Sequence, residues 1–238
     1  MSVTLASVVL PVYNQADHIQ SVLEEYISAL QRVHFAYELL PVINGPRRDK
    51  SLDICRSLQQ RYPQIRTECI DEGGWGRAVR HGLAKSKGDL VCYTNSARTT
   101  AKDLLLMLLY GSVHDNCVVK ANRKIRENWR RRLGSLVYNL ECRALFDLPY
   151  WDVNGTPKVF HRQLGALMAL SRNDDLIDLE FNAICRREDY EVLEVPIFST
   201  SRHSGRSTTN FLSAYRMYAG AFELRRAMTN RRKSSPSQ

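Results

Sequence analysis

No apolar run in the chain approaches the roughly 18–20 residues that a membrane-spanning helix needs, which excludes a protein built on such spans. CxxC pairs and the Cys/His spacings of zinc sites are also missing. The six cysteines, Cys55, Cys69, Cys92, Cys117, Cys142 and Cys185, lie far apart. No basic n-region precedes the start "MSVTLASVVLPVYN", so the expectation is a chain without a signal peptide, placed in the cytoplasm, with thiols reduced and mostly buried. Internal repeats and interdomain linkers are absent as well. Acidic residues are in short supply: 25 Asp and Glu against 34 Lys and Arg leave a net charge of +9. Such a balance favours partners that carry phosphate, whether nucleotides, nucleic acid or an anionic membrane surface.

The 238 residues, 44% of them hydrophobic, suffice for one sizeable core. "VTLASVVLPVY" is a β-rich apolar run closed by a Pro-containing turn, which predicts a buried strand. The following "ADHIQSVLEEYISALQRV" carries apolar residues at helical spacing, with Asp17 as the expected N-cap. Strand "YELLPVIN", helix "KSLDICRSLQQRY", strand "IRTECID", helix "RAVRHGLAKSK" and strand "DLVCYTN" continue the alternation. Crossovers of this length join parallel strands, so the fold class is α/β, a Rossmann-like and mostly parallel sheet with helices on both faces. Beyond it, helices are expected in "AKDLLLMLLYGSV", "RRRLGSLVYNLECRALF", "DLEFNAICRREDY" and "FLSAYRMYAGAFELRRAM". "YWDVNGTPKVFHRQ" reads as turn-rich, and "EVLEVPIFSTS" as a strand that Pro196 places at an edge. Residues 1–226 form the expected domain and 227–238 a basic, disordered tail.

Open α/β sheets bind ligands at the carboxyl ends of their strands. The loops "PVYNQ", "INGPRR", "EGGWG" and "TNSAR" all follow strands and converge there. Gly73, Gly74 and Gly76 precede a helix whose first turns carry Arg77 and Arg80. That combination suits a diphosphate, although a glycine-rich turn with no ligand fits the spacing equally well.

In order along the chain, "VVLPVYNQADHI", "GWGRAVRHGLAKSKGDLV", "DVNGTPKVFHR", "DLEFNAICRREDYEVLEVPI" and "SRHSGRSTT" resemble five segments of family 2 glycosyltransferases, in the branch that makes dolichyl- and polyprenyl-phosphate sugars. The likeness runs from about residue 5 to 225. It implies a GT-A fold and inverting sugar transfer from a UDP- or GDP-sugar. The resemblance places Pro11, Val12, Tyr13 and Asn14 at the nucleoside, and Asn44 near a base-contacting position. Gly74, Gly76, Arg77 and Asn95-Ser96-Ala97-Arg98 fall at the donor diphosphate. Asp178, Glu180 and Arg202 fall at the reacting centre, with both carboxylates equally readable as helix-surface groups. Arg123, Arg131, Arg132, Asp152, Lys158 and Ser207 fall at the acceptor, and Arg162 and Arg206 lie in the same motifs. Trp75 fits a stacking platform or a cover for the crevice.

The departures from the family pattern concern negative charge. Asn95-Ser96-Ala97 stands where the family carries Asp-x-Asp, the motif that holds Mg²⁺ or Mn²⁺. Gln15 replaces a glutamate and Asn44 an aspartate. Divalent cations of this kind want anionic oxygen ligands, so no protein-held metal is expected. The chemistry implied is transfer to a polyprenyl phosphate at the inner membrane face, with arginines balancing the diphosphate. The rival is a sugar-nucleotide-binding scaffold that acts through a membrane-protein partner. A nucleic-acid binder would explain the charge but none of the ordered loops.

Overall fold

The structure, a computed structural model, describes residues 2–124, 129–198 and 211–234, with the side chains of 129–132, 211–216 and 229–234 outside that description. Strand β1 (Leu5–Val12) is followed by α1 (Ile19–Leu30), β2 (Ala36–Asn44), α2 (Ser51–Arg61), β3 (Glu68–Ile70), α3 (Trp75–Lys85) and β4 (Leu90–Tyr93). Then come α4 (Ala101–Val113), β5 (Cys117–Arg123), α5 (Trp129–Phe146), β6 (Lys158–His161), α6 (Gly165–Met168), α7 (Ile177–Arg187), β7 (Glu191–Ile197) and α8 (Phe211–Ser234). The seven strands form one sheet in the order β3-β2-β1-β4-β6-β5-β7.

β1 is central because nearly every residue in it is apolar and buried, the pattern of a strand covered on both faces. Its side chains alternate. Val9 joins the core under α3, α5 and α7, whereas Val8 and Leu10 join the core under α1, α2 and α4. β1 pairs in parallel with β2 along its length, from Leu5 opposite Ala36 to Val12 opposite Ile43. Its parallel pairing with β4 ends earlier, at Val9 opposite Tyr93. Pro11, which has no N–H to give, lies past that point, where the two strands part. Chain direction out of the sheet reverses between β1 and β4, so this gap is the topological switch point where such sheets take ligands.

Three expectations about the elements are corrected. β6 lies in the segment read as turn-rich, and it runs antiparallel to both β4 and β5. Four residues opening on a lysine give no period, and Gly155 and Pro157 punctuate the approach. The N-cap of α1 is His18 rather than Asp17, with no side-chain cap. Helix α8 also continues past residue 226 to Ser234, across most of the segment expected to be disordered. Pro196 does mark an edge strand, since β7 closes the sheet.

The amino ends of β1 and β4 are fastened together. Asp89 accepts hydrogen bonds from the N–H groups of Thr4 (2.8 Å) and Leu5 (2.9 Å) and from the Thr4 hydroxyl (3.1 Å). Nearby, Ser7 Oγ donates to Glu38 (2.6 Å) and accepts from the Gly88 N–H (2.7 Å). Partial burial pushes the Asp89 carboxyl up, but these hydrogen bonds outweigh it and hold the pKa below the usual carboxylate range. A depressed carboxylate stabilises the fold above its unfolded pKa of about 3.9, and that contribution is lost as pH falls through the folded value. Asp89→Asn should therefore cost about 1–3 kcal/mol at pH 7, with the gap to wild type closing below about pH 3, as urea unfolding across pH would show.

Candidate active site at the carboxyl ends of the parallel strands

The loops after β1, β2 and β3 meet at Tyr13. Gly45 adopts φ +76°, and a Cβ there would lie 3.1 Å from both the Tyr13 ring and the Gly73 Cα. Glycine at 45 thus serves both the turn and the close approach. Pro11 and Val12 are buried as the end of β1, and Tyr13 presents a ring 40% exposed beside them. Asn14, with φ +49°, accepts from the Arg48 N–H (3.2 Å). Asn44 is buried and already engaged: its amide donates to the Val12 carbonyl (2.9 Å) and its Oδ1 accepts from the Gly74 N–H (3.2 Å). It stitches the first three loops together.

The loop after β4 is closed on itself. Asn95 Oδ1 accepts from the Ala97 N–H (3.0 Å), and the Asn95 carbonyl accepts from the N–H groups of Arg98 (3.0 Å) and Thr99 (3.0 Å). Ser96 Oγ donates to Gln15 Oε1 (2.6 Å). Ser96 and Ala97 are buried, and Arg98 is the exposed side chain of the group. Gln15 and Ser96 therefore satisfy each other. Among the described residues no group of three or more His, Cys, Asp and Glu side chains is placed to hold a metal ion. With one amide oxygen turned back onto its own backbone and one hydroxyl turned onto an amide, this donor set does not fit Mg²⁺ or Mn²⁺.

Below the crevice lies a buried charged cluster. Asp178, on the first turn of α7, accepts from Tyr93 OH (2.9 Å), Trp75 Nε1 (3.1 Å) and Lys158 Nζ. Lys158 is fully buried, with its ammonium 5.3 Å from the Tyr93 ring centre and 5.6 Å from that of Phe181. Burial pulls its pKa below the ordinary lysine value, while Asp178 opposes that shift. Burial raises the Tyr93 phenol, and the Asp178 charge raises it further. Alongside, Arg123 grips Asp152 through Nε and Nη2 (2.8 Å each), and fully buried Lys120 reaches Glu194 (2.9 Å) and the Asp152 carbonyl (3.2 Å). Cations Lys120, Arg123 and Lys158 are thus matched by Asp152, Asp178 and Glu194. The pairing leaves Arg123 turned onto Asp152 where the sequence had offered it to an acceptor phosphate.

Other sequence-derived roles shift for similar reasons. A Cβ on Gly74 would lie 2.7 Å from the Asn173 carbonyl, and one on Gly76 2.5 Å from that of Asp174. The Arg77 N–H donates to the Asn173 carbonyl (3.0 Å). The amino end of α3 is therefore covered by the chain's own segment 172–174, and of the three glycines Gly73 borders Gly45. Arg77 pairs with Glu72, and Arg80 with Asn173. Glu180 does not share a site with Asp178. Two positions along a helix point to different sides, and Glu180 accepts from Ser171 N (3.0 Å), Arg172 N (2.8 Å) and Ser171 Oγ, away from the crevice. Arg162 lies at the opposite end of the sheet, bonded to the carbonyls of Gly88 (2.7 Å) and Ser86 (2.8 Å). Arg202, Arg206 and Ser207 lie outside the described residues, as do the side chains of Arg131 and Arg132 on α5. Sequence reading missed Tyr93, Lys120 and Glu194. A lysine inside the buried run "CVVKANR" was the available signal.

The model of the family described as "Glycosyl transferase family 2" matches residues 7–165. The chain belongs to glycosyl transferase family 2. Its similar relatives include the undecaprenyl-phosphate 4-deoxy-4-formamido-L-arabinose transferases of Sodalis glossinidius, 21% identical over 87% of this chain, and of Pseudomonas aeruginosa, 25% identical over 95%. The chain spans 63% and 66% of the lengths of those two proteins. Among solved structures, glucosyl-3-phosphoglycerate synthase from Mycobacterium tuberculosis, in complex with Mn²⁺, UDP and glucosyl-3-phosphoglycerate, superposes with a TM-score of 0.71 at 17% identity. That match covers 94% of this chain and 80% of the other; a complex of the same enzyme with phosphoglyceric acid gives 0.73. The sheet is the GT-A fold of the glycosyltransferases, and Tyr13 and the Asn95–Arg98 loop sit at its switch point.

Removing one partner of the buried pair should be costly. Lys158→Met should destabilise the domain by roughly 3–5 kcal/mol in chemical denaturation, because Asp178 is left buried without its cation. Lys158→Met combined with Asp178→Leu should recover much of that loss.

Proposed function

We propose that this domain transfers a sugar, with inversion, from a UDP- or GDP-sugar to a phosphate-bearing acceptor of the polyprenyl phosphate class, without a protein-held metal. One observation carries the reading: the donor loops of a family 2 fold come together around Tyr13 and Asn95–Arg98, where Gln15 and Ser96 are bonded to each other and Asp178 is bonded to Lys158, Tyr93 and Trp75. Asp178 gives both its oxygens to Lys158, Tyr93 and Trp75, so it serves better to fix the floor of the site than to remove a proton. A phosphate acceptor needs no such base, because its oxygen is already anionic at neutral pH. That oxygen attacks the anomeric carbon as the carbon–oxygen bond to the diphosphate breaks, and the nucleoside diphosphate leaves with the bonding pair. Arg98, exposed on the loop in the family's metal position, is the group assigned to the charge developing on that diphosphate, with Arg202 as its second cation. The printed names of the relatives, which are undecaprenyl-phosphate transferases, support the acceptor class. No described helix is long and apolar enough to cross a membrane. We place the acceptor at a membrane surface, with Arg131 and Arg132 of the sequence as its basic contacts.

Thermal-shift measurements with UDP, GDP and their sugars, each with and without Mn²⁺, should show stabilisation by one nucleotide series that Mn²⁺ does not enhance. Sugar transfer should persist in excess EDTA; complete loss that Mn²⁺ restores would reject the metal-free reading. Arg98→Ala should lower turnover about 10²- to 10³-fold while nucleotide binding changes far less. Nucleotide binding with no turnover against any phosphate acceptor would instead favour a sugar-nucleotide-binding scaffold.

A further inference from the structure

Helix α5 is apolar on two sides. Its inner side buries Tyr138, Cys142 and Phe146 in the core. Its outer side carries Leu133 (54% exposed), Leu136 (45%), Val137 (48%) and Leu140 (50%). These fall at i, i+3, i+4 and i+7, with Ala144 one further turn along, so they form a single stripe. A helix apolar all round is normally buried all round, and among the described residues nothing covers this stripe. The helix is not a loosely attached element. Tyr218 OH of α8 donates to the Gly134 carbonyl (2.8 Å), and the Tyr138 and Tyr218 rings meet edge to face at 5.5 Å.

Charge identifies the occupant. Arg130, Arg131 and Arg132 fill the turn before Leu133, and Arg143 follows the stripe, with its guanidinium 4.2 Å over the ring of half-exposed Trp151. Glu141 is the sole acidic residue in the helix. A second copy of the chain is disfavoured as the partner. Parallel pairing sets the three arginines against themselves, and antiparallel pairing sets them against Arg143, so either orientation opposes like charges. An apolar stripe preceded in the chain by three arginines, with Arg143 and Trp151 at its far end, fits the boundary between anionic headgroups and acyl chains. We propose that the outer face of α5 is the surface by which this protein lies on an anionic lipid bilayer, with Leu133, Leu136, Val137 and Leu140 inserted below the headgroups. The proposal rests on the reading of the acceptor as a lipid phosphate, since it gives the active site a fixed height above the membrane that holds such an acceptor.

The test is co-sedimentation of the full chain with vesicles of phosphatidylglycerol and phosphatidylethanolamine, and with vesicles of phosphatidylcholine alone. Wild type should bind the anionic vesicles and shift its tryptophan emission to the blue. Leu136→Glu combined with Leu140→Glu should weaken binding at least tenfold while the thermal midpoint stays within a few degrees, because both side chains are exposed in the free protein. Leu136→Met with Leu140→Met should retain binding, which separates insertion from fold damage. Transfer to a short-chain, water-soluble prenyl phosphate, measured in parallel, should be unchanged by the glutamate pair. Loss of vesicle binding with soluble transfer intact confirms the surface. Vesicle binding without transfer to any acceptor sinks the functional reading but leaves the surface standing. Equal vesicle binding by wild type and the glutamate pair overturns the proposal. So does a wild-type dimer that the pair converts to monomer, which would assign the stripe to a second copy.

Discussion

A carboxylate that cannot be left alone organises this domain. Asp178 lies at the start of α7, out of reach of bulk water, and its charge is tolerated only because three donors from other elements converge on it. Trp75 comes from the first turn of α3, Tyr93 from the last residue of β4, and Lys158 from the first residue of β6. An isolated buried charge is expensive enough that each of these elements is held in register by the need to supply its donor. The antiparallel strand β6 is threaded between β4 and β5 with its lysine at the crevice end, opposite Tyr93. The adjoining pairs, Arg123 with Asp152 and Lys120 with Glu194, extend the same logic across to β5 and β7. What lies beneath the ligand site is therefore rigid and electrically balanced, and the net positive charge of the chain is expressed elsewhere.

The loop above this floor shows how a turn of amides and hydroxyls satisfies its own polar atoms. An amide or hydroxyl out of contact with water has polar atoms that need partners. Here Gln15 meets Ser96, Asn95 caps its own backbone, and Asn44 ties β1 to the glycine-rich loop. Arg98, exposed at the end of this turn, is the charged residue of the Asn95–Arg98 group. The same chain keeps the Gly88-Asp89 pair of the resemblance, which works as a fastening between strands far from any ligand.

Most of the fold was legible because it depends on local periods. The buried run of β1, the helical spacing of α1 and the proline at the edge strand each follow from neighbouring residues alone. β6 was not legible: four residues opening on a lysine carry no period, and their strand character comes from being flanked by β4 and β5. The location of the site was legible too, since strand-following loops must converge at one edge of a parallel sheet. The partners were not. Asp178 bonds to residues 103 and 85 positions away, and nothing near it in sequence hints at either. Asp178 and Glu180 looked like a pair because they are two residues apart, but helical geometry sends them to different sides. The partners of Arg77, Arg80 and Arg123 in the fold, Glu72, Asn173 and Asp152, were likewise not legible from spacing.

The fastening at Asp89 and the crevice at Tyr13 sit at opposite ends of the same strand. Errors introduced at the amino end of β1 change how long a molecule survives, and errors at the carboxyl end change what a surviving molecule can do. The two kinds of damage would therefore sort cleanly in a population of random variants, the first being relieved by growth in the cold and the second indifferent to it. A chain laid out in this way can diversify its ligand edge over many generations without repeatedly renegotiating whether it folds.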